Sequence, residues 1–387
     1  MKEKIRTPII WYSFFMALML FQTSYMRLGT ITAFVTLAVT ILTAFASGSV
    51  SLRKFSLSRD SEILLFFLLL VTIVTLITGS LPSSFLRFVA QIVLCIVLIA
   101  IGPLNKREED LLKNVFIIAS LVYALLAIRS CYQLGAARYY HSSIMLFNAS
   151  LDPNFIGIPF VAASAFVLNN ILEGKKRLLN VVCYIVFAIA IVYTASRGNM
   201  LCLILSNALV VLFYLQKKNV HILVKILWVA IIIIAIGYLF GYLKSNFTTQ
   251  WERMTNFADG ADNGRFDLWA KAADAWMDSP LFGKGLGGMY RIEGKATHNT
   301  YLQLLSETGA LGTILFLAFM LRLLKKMFKT DKVYFCVLAG TFVQIAFLDA
   351  LDNRVLWVVL CWFSVIAINM EDEKNVEKNA LLARAEA

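Results

Sequence analysis

Apolar runs close to the length that crosses a membrane recur along the whole chain. A helix needs ~20 mostly apolar residues to cross the hydrocarbon core of a bilayer, and about twelve such runs are present. They are Pro8–Tyr25, Thr30–Ala46, Glu62–Gly79, Phe85–Ile101, Leu111–Ile128, Phe155–Leu172, Leu178–Ala195, Asn199–Leu215, Ile222–Tyr242, His298–Leu324, Val333–Leu348 and Val355–Met370. With 59% hydrophobic and 16% charged residues, the chain lies outside the soluble range. The sequence therefore predicts an all-α, polytopic integral membrane protein, with a membrane domain over residues 1–370 and a cytoplasmic tail over 371–387.

The positive charge follows membrane topology. If the amino terminus is cytoplasmic, 22 of the 36 Lys and Arg residues fall in the inside segments. The short outside connections then hold six basic residues, all of them arginine: Arg27, Arg87, Arg129, Arg138, Arg197 and Arg354. We therefore expect both termini in the cytoplasm. A net charge of +12 can indicate a nucleic-acid partner, but here membrane topology explains the positions of the basic residues, and no nucleic-acid partner is predicted.

One connection, residues 243–297, is much longer than the others and is placed outside the cytoplasm by this topology. It holds seven basic and seven acidic residues, and a loop of this length is usually functional. Asn263 can cap a helix near 264–278. One face of that helix would carry Phe266, Trp269, Ala273, Trp276 and Met277. The face predicts a helix on the outer membrane surface or over a cavity between spans, and ordinary core packing is an equal alternative.

The stretch Gly283–Gly288 matches the pattern GxGxxG, but it follows a predicted helix and begins no βαβ unit. A dinucleotide site is therefore rejected. The glycines predict a tight turn after Pro280, with a backbone nest for an anion as the alternative. The six cysteines, His141 and His221 have no partners at metal-ligand spacing. The sequence predicts no metal and no cofactor.

Polar residues gather at the predicted outer level of the membrane. His298 begins the apolar run after the loop, where an imidazole meets water and lipid head groups, although a lone interfacial histidine also suits a structural role. Arg197 lies between two runs with almost no connection, so it either binds an anion or only reaches the membrane surface. Arg265 would start a helix, where a cation opposes the helix dipole, and an anionic ligand would explain its place.

Glu307 lies within an apolar run, where an ionised carboxylate costs at least ~2.5 kcal/mol at membrane depth. It therefore needs a partner or a function. Gly309 and Gly312 predict a helix break or a close helix approach, so residues 298–308 can form a short re-entrant piece. Asn299 and the polar stretch Asp349–Arg354 lie at the same level.

These motifs form a recognisable series: SRG at Ser196, GR at Gly264 with Trp269 after it, the glycine turn after Pro280, HNxYL at His298, and ExG ending at Gly309. In order and spacing they resemble the O-antigen ligase and O-antigen (Wzy-type) polymerase superfamily, over about residues 150–325.

The resemblance implies a GT-C-like membrane glycosyltransferase of the bacterial cell envelope. Such an enzyme would move a glycan from undecaprenyl diphosphate to an acceptor hydroxyl on a glycan or glycolipid, at the outer face of the cytoplasmic (inner) membrane. It further implies that Arg197 and Arg265 bind the diphosphate and that His298 acts as a base or orients the acceptor hydroxyl. Asn299, Glu307, Arg138 and Arg354 would support them, and no metal is required.

Two alternatives remain open. The motifs do not separate a polymerase, which joins repeats of O-antigen or capsular polysaccharide, from a ligase, and the modest outer loop favours a polymerase. A transporter or flippase of lipid-linked oligosaccharide shares the number of spans. Transporters, however, place broken helices and polar residues near the bilayer midplane in related halves, and no half-repeat is visible here.

Overall fold

The computed structural model describes residues 4–20, 26–50, 57–79, 81–82, 84–134, 144–146, 149–151, 153–217 and 264–368, with scattered positions between 221 and 252. Arg138, His141 and the predicted tail at 371–387 lie outside the described residues.

Helices dominate the described part of the chain, which confirms the all-α membrane class. They are α1 Thr7–Leu20, α2 Met26–Ala46, α3 Arg59–Ile77, α4 Phe85–Ile101, α5 Lys106–Leu134, α6 Pro153–Leu172, α7 Arg177–Tyr193, α8 Arg197–Lys217, α9 Arg265–Asp278, α10 Gly288–Glu293, α11 Thr300–Thr330, α12 Lys332–Gln344 and α13 Arg354–Ile368. A 3-10 turn, Ile345–Phe347, follows α12. The sequence did not indicate the short antiparallel pair of β1 Ile144–Leu146 and β2 Ala149–Leu151.

Five of these helices, α3, α5, α6, α8 and α11, are long and apolar enough to cross a membrane, and six shorter apolar helices of 10–17 residues accompany them among the described residues. Large apolar side chains such as Phe66 and Leu178 are exposed along the helices, as lipid-facing positions are. The predicted run at 222–242 lies where only some positions are described, and helical positions continue to Glu252, beyond the predicted start of the long loop.

Contacts divide the chain into two units. The first comprises residues 1–118, 267–335 and 345–387, and the second comprises 119–266 and 336–344. In the first unit α3 packs against α4 and α11. Its buried centre is aromatic: the rings of Phe67 and Phe316 lie 5.3 Å apart, and those of Phe88 and Trp357 lie 6.2 Å apart. Helix α3 is thereby fixed against the helix that follows His298.

In the second unit α6 packs against both α7 and α8. The rings of Phe160 and Phe187 stack at 6.3 Å. Near the start of α6, Gly157 lies directly against the Asn199 side chain, where a Cβ atom would overlap the amide. This glycine allows α8 to begin close to α6, which fixes the helix that starts with Arg197.

Candidate functional site

Helix α11 is broken at Gly309, whose φ of 64° and ψ of −171° are non-helical. The break leaves backbone groups of α11 without helical partners, and the segment after α9 bonds them. The four bonds are Lys284 N–H to Ser306 O (2.9 Å), Gly285 N–H to Glu307 O (2.9 Å), Ala310 N–H to Pro280 O (2.8 Å) and Leu311 N–H to Leu281 O (3.2 Å). The predicted break is present, and the glycine-rich segment is hydrogen-bonded into it.

The glycine-rich segment 283–288 is a tight turn between α3 and α11. A Cβ atom on Gly283 would overlap the α11 backbone, and one on Gly285 would overlap Thr78. The Leu286 N–H donates to the Thr75 hydroxyl at 3.0 Å. The N–H groups of Lys284, Gly285 and Leu286 all donate within the protein, so they are not available to bind an anion. The geometry therefore favours the tight turn over the anion nest.

Glu307 is buried beside this turn, with 3% of its surface exposed. Its carboxylate accepts the Gly287 N–H and the side-chain N–H of Gln303 at 3.2 Å. The acid therefore has the partners that its place in an apolar run requires, and it helps to hold the glycine turn on α11.

His298 has a left-handed backbone, with a φ of 53°. Its N–H donates to the Asp349 carboxylate at 2.5 Å, and the Thr297 hydroxyl donates to the same carboxylate. The imidazole Nδ1 lies 3.6 Å from Asp349 Oδ2, and 39% of the His298 side chain is exposed. A left-handed non-glycine residue costs roughly 1 kcal/mol, so the surrounding bonds are needed to hold it. The result is an accessible imidazole beside a carboxylate that is 11% exposed.

The segment that carries Asp349 is itself fixed on two sides. The Thr300 hydroxyl donates to Leu348 O at 2.6 Å and accepts the Ala350 N–H at 2.9 Å. Arg87, on α4, pairs with the Asp352 carboxylate at 2.9 Å. Asp349 thus faces His298 from a rigid turn rather than from a free loop.

Burial raises the pKa of Asp349, and the Thr297 hydrogen bond and the His298 charge oppose this rise without cancelling it. The ionised carboxylate is therefore disfavoured by desolvation and retained by its hydrogen bonds. Such an opposition is typical of functional sites, although structural pairs also show it.

Helix α9 lies beside the same peptide. Its buried face consists of Leu268, Ala272 and Ala275, and Met289 and Leu302 pack there. The apolar stripe predicted from the sequence is not this face, since Phe266 and Met277 on it are 67% and 61% exposed. Small residues allow α9 to pack closely, so alanine rather than aromatic spacing marks the buried side.

Trp269 of α9 is half-buried, and its indole N–H donates to Thr297 O at 3.0 Å. Trp276, two turns later, donates to Pro280 O at 3.1 Å in an exposed position. Both tryptophans therefore bond the backbone through their indole N–H groups, and only Trp269 reaches the peptide next to His298.

The two predicted phosphate-binding arginines begin helices. Arg197 is the first residue of α8 and follows Ala195, which has a φ of 45°. Asn199 holds this turn, because its side-chain N–H groups donate to Pro153 O at 3.1 Å and to Thr194 Oγ1 at 3.3 Å. Arg265 is the first residue of α9 and is half-buried. Both arginines belong to the second unit.

Residues 182–317 match a family model described as O-antigen ligase. This part of the chain is similar to the O-antigen ligase family. No curated protein matches the chain. The matched residues include Arg197, Arg265 and His298. Together with the apolar helices, the match supports a membrane protein that processes glycan.

Two of the predicted supporting residues, Asn299 and Arg354, lie at the starts of different helices. Asn299 caps α11, accepting the N–H groups of Tyr301 and Leu302 at 3.0 and 3.2 Å. Arg354 is buried as the first residue of α13. Among the described residues, no group of His, Cys, Asp and Glu side chains could hold a metal ion, and metal independence stays a prediction.

Two residues at the His298 peptide were missed as site residues by the sequence analysis. Asp349 was seen only as a polar residue at the right level, because its bond to His298 spans 51 positions and no local pattern marks it. Trp269 was assigned to an apolar stripe, and the HNxYL motif gave no sign that its indole N–H reaches Thr297. Both contacts are long-range, which single-sequence spacing does not reveal.

Proposed function

We propose that the protein is a glycosyltransferase that moves a glycan from undecaprenyl diphosphate to an acceptor hydroxyl, as a polysaccharide polymerase or an O-antigen ligase. The observation that carries this proposal is His298 itself. It lies within the matched residues, has a strained backbone, presents an exposed imidazole, and faces a largely buried carboxylate. A positioned imidazole with an orienting carboxylate is a common arrangement for a general base.

In the proposed step, the acceptor oxygen attacks the anomeric carbon of the donor sugar. The bond from that carbon to the phosphate oxygen breaks, and its electron pair leaves with undecaprenyl diphosphate. The hydroxyl proton passes to the His298 imidazole, and Asp349 holds that residue and stabilises the imidazolium. The step needs no oxidant, reductant or bound cofactor.

Arg197 and Arg265 are proposed to bind the donor diphosphate. Guanidinium groups bind phosphate oxygens in pairs, and they stabilise the charge that grows on the leaving group. The position of Arg265 at the start of α9 supports this role, because a cation there opposes the helix dipole unless an anion is also bound. Asn199, which holds the turn before Arg197, would keep that arginine in place.

We propose that the His298 side of the first unit faces away from the cytoplasm. Along α3, Asp60 at its start pairs with Arg322 and Lys326, both at 2.7 Å. At its other end, Thr75 and Thr78 contact the glycine turn. The Lys-rich and Arg-rich end is thus opposite the His298 end, as the positive-inside rule requires. An engineered cysteine at the exposed Ile292 that reacted with an impermeant maleimide only in opened cells would contradict this orientation.

Deletion of the gene tests the function and its subclass. Cells that lose a polymerase should carry single repeats on their acceptor, and cells that lose a ligase should accumulate long polymer on undecaprenyl diphosphate. Gel separation of surface glycan and of extracted lipid-linked glycan measures both. An unaltered surface glycan with normal lipid-linked intermediates would refute the proposal, and accumulation of lipid-linked repeats on the cytoplasmic face would favour a flippase.

A further inference from the structure

We infer that Trp269 is a positioning residue for His298 and connects the helix that begins with Arg265 to the peptide before the imidazole. This inference rests on the proposed function. It concerns a residue that touches neither the transferred sugar nor the diphosphate in the proposed step, and that acts through the backbone of His298.

The peptide group between Thr297 and His298 is bonded at both of its polar atoms. Its carbonyl accepts the indole N–H of Trp269 at 3.0 Å. Its N–H donates to the Asp349 carboxylate at 2.5 Å. One side chain from α9 and one from the turn before α13 therefore fix the plane of this single peptide. Thr297 is fully buried, so water does not replace the indole at its carbonyl.

The plane of this peptide determines where the imidazole lies. A residue with a φ of 53° is in a conformation that L-residues avoid, and it relaxes toward negative φ when its restraints are removed. Rotation about the N–Cα bond of His298 would carry its side chain away from Asp349. The indole bond is therefore one of two restraints that keep the imidazole in the proposed catalytic position.

Helix α9 is held in place around Trp269. Trp269 lies one turn after Arg265 on the same helix, so both side chains project from one side of it. Lys271 bonds Glu293 at 2.7 Å, and Leu268 packs in the buried face, so α9 has few ways to move independently of α10. The packing of α9 therefore holds the Trp269 indole in position.

The experiment compares Trp269→Phe with Trp276→Phe in the purified full-length protein, using lipid-linked glycan as donor. Trp276 is the matched control, because it loses an indole hydrogen bond on the same helix at an exposed site. Trp269→Phe should lower kcat about tenfold, with an unchanged KM for the donor. The thermal unfolding midpoint in detergent should fall modestly, because the buried Thr297 carbonyl loses its partner. Trp276→Phe should leave kcat and KM within about twofold of the wild type.

A double variant provides a readout that a merely structural role would not affect. If Trp269 and Asp349 act through the same peptide, the losses in kcat of Trp269→Phe and Asp349→Asn should not multiply in the double variant. Multiplying losses, or a Trp269→Phe enzyme with wild-type kcat, would overturn the inference while leaving the proposed function intact. Absence of transfer by the wild type would instead refute the proposed function. If Trp269→Phe does not accumulate, Trp269→Tyr, which also lacks the indole N–H, is measured in the same way.

Discussion

A left-handed backbone at a non-glycine residue costs roughly 1 kcal/mol, and His298 has one, with a φ of 53°. Net stabilisation by a single hydrogen bond is about the same size. A single hydrogen bond therefore barely offsets the strain of this conformation. The bonds made by Asp349, Thr297 and Trp269 together exceed it. Strain of this kind, opposed by several neighbours, is what a residue held for a function is expected to show.

Asp349→Asn should separate activity from stability. The amide keeps one acceptor oxygen but loses the charge that stabilises an imidazolium, so transfer should fall about tenfold or more. Burial raises the pKa of Asp349 above its ordinary value of 3.8. The contribution of this group to the free energy of unfolding therefore decreases as pH rises through the raised pKa, because the ionised carboxylate is disfavoured in the folded state. At neutral pH asparagine removes the disfavoured charge but also loses one of the two hydrogen bonds that Asp349 accepts, so the net change in stability should be small.

The measurement pairs initial rates with thermal unfolding in detergent across pH. The wild type should be more stable than Asp349→Asn at acid pH, and it should lose this advantage as pH rises through the raised pKa of Asp349. An asparagine variant with wild-type rates would show that the carboxylate does not assist His298.

At the scale of elements, the centre of the proposed site is a broken helix whose free backbone groups are hydrogen-bonded by a loop. The backbone groups freed at Gly309 are bonded by residues from Pro280 to Gly285, so α11 and the glycine turn form one structure. Without the turn, these groups would be left without partners at the start of a membrane span. The loop after α9 is thus required for α11 to keep its shape, quite apart from any contact with glycan.

Gly309→Ala should prevent correct folding, whereas Gly294→Ala should be tolerated. Both glycines have a φ of 64°. At Gly309 a Cβ atom would overlap the backbone of Leu281 and Phe282, and ψ is −171°, in a region that only glycine adopts readily. At Gly294 ψ is 8° and no atom lies within 4 Å of a Cβ, so alanine costs about 1 kcal/mol.

Size-exclusion profiles of detergent extracts test this pair of variants. Gly309→Ala should give aggregated or degraded protein, and Gly294→Ala a symmetric peak at the wild-type position. A monodisperse and active Gly309→Ala protein would show that the loop does not need to approach α11 so closely.

The sequence predicted this element in part. The glycines at 309 and 312 indicated a break, and Pro280 with the following glycines indicated a turn, since both rest on local backbone rules. The pairing of the break with the turn was not predictable, because it depends on contacts between distant segments. The face of α9 that packs in the protein was not predictable either: Leu268, Ala272 and Ala275 are less hydrophobic than the aromatic stripe, but they allow closer packing. Of the alternatives for the stripe, core packing does not hold for the exposed Phe266 and Met277, and a place on the membrane surface stays a prediction.

At the scale of the whole molecule, hydropathy was sufficient for the fold class. Apolar runs report the bilayer directly, and the described helices α1 to α13 follow most of the predicted runs. The hydropathy pattern did not predict the division into two units or the β1–β2 pair. Helix bounds were less accurate where polar residues lie within a helix: α5 begins at Lys106, five residues before the apolar run at Leu111.

The positions of charged residues also helped to predict the orientation in the membrane, because these residues lie at the ends of the helices. The arginines that the sequence placed at the outer level include Arg87, which pairs with Asp352 beside the His298 segment. Arg6 pairs with Glu108 at the start of α5, and Asp60 pairs with Arg322 at the start of α3. In the proposed orientation, the Arg6–Glu108 and Asp60–Arg322 pairs lie on the cytoplasmic side, and the Arg87–Asp352 pair lies on the side of His298.

The most direct measurement of the central claim is glycan transfer by the purified protein in lipid vesicles. Donor glycan on undecaprenyl diphosphate is supplied with its acceptor, and the lengthened or transferred glycan is separated by gel. His298→Ala should abolish transfer with an unchanged unfolding midpoint, while His221→Ala, at an exposed histidine outside the motifs, should retain it. Full transfer by His298→Ala would contradict the account.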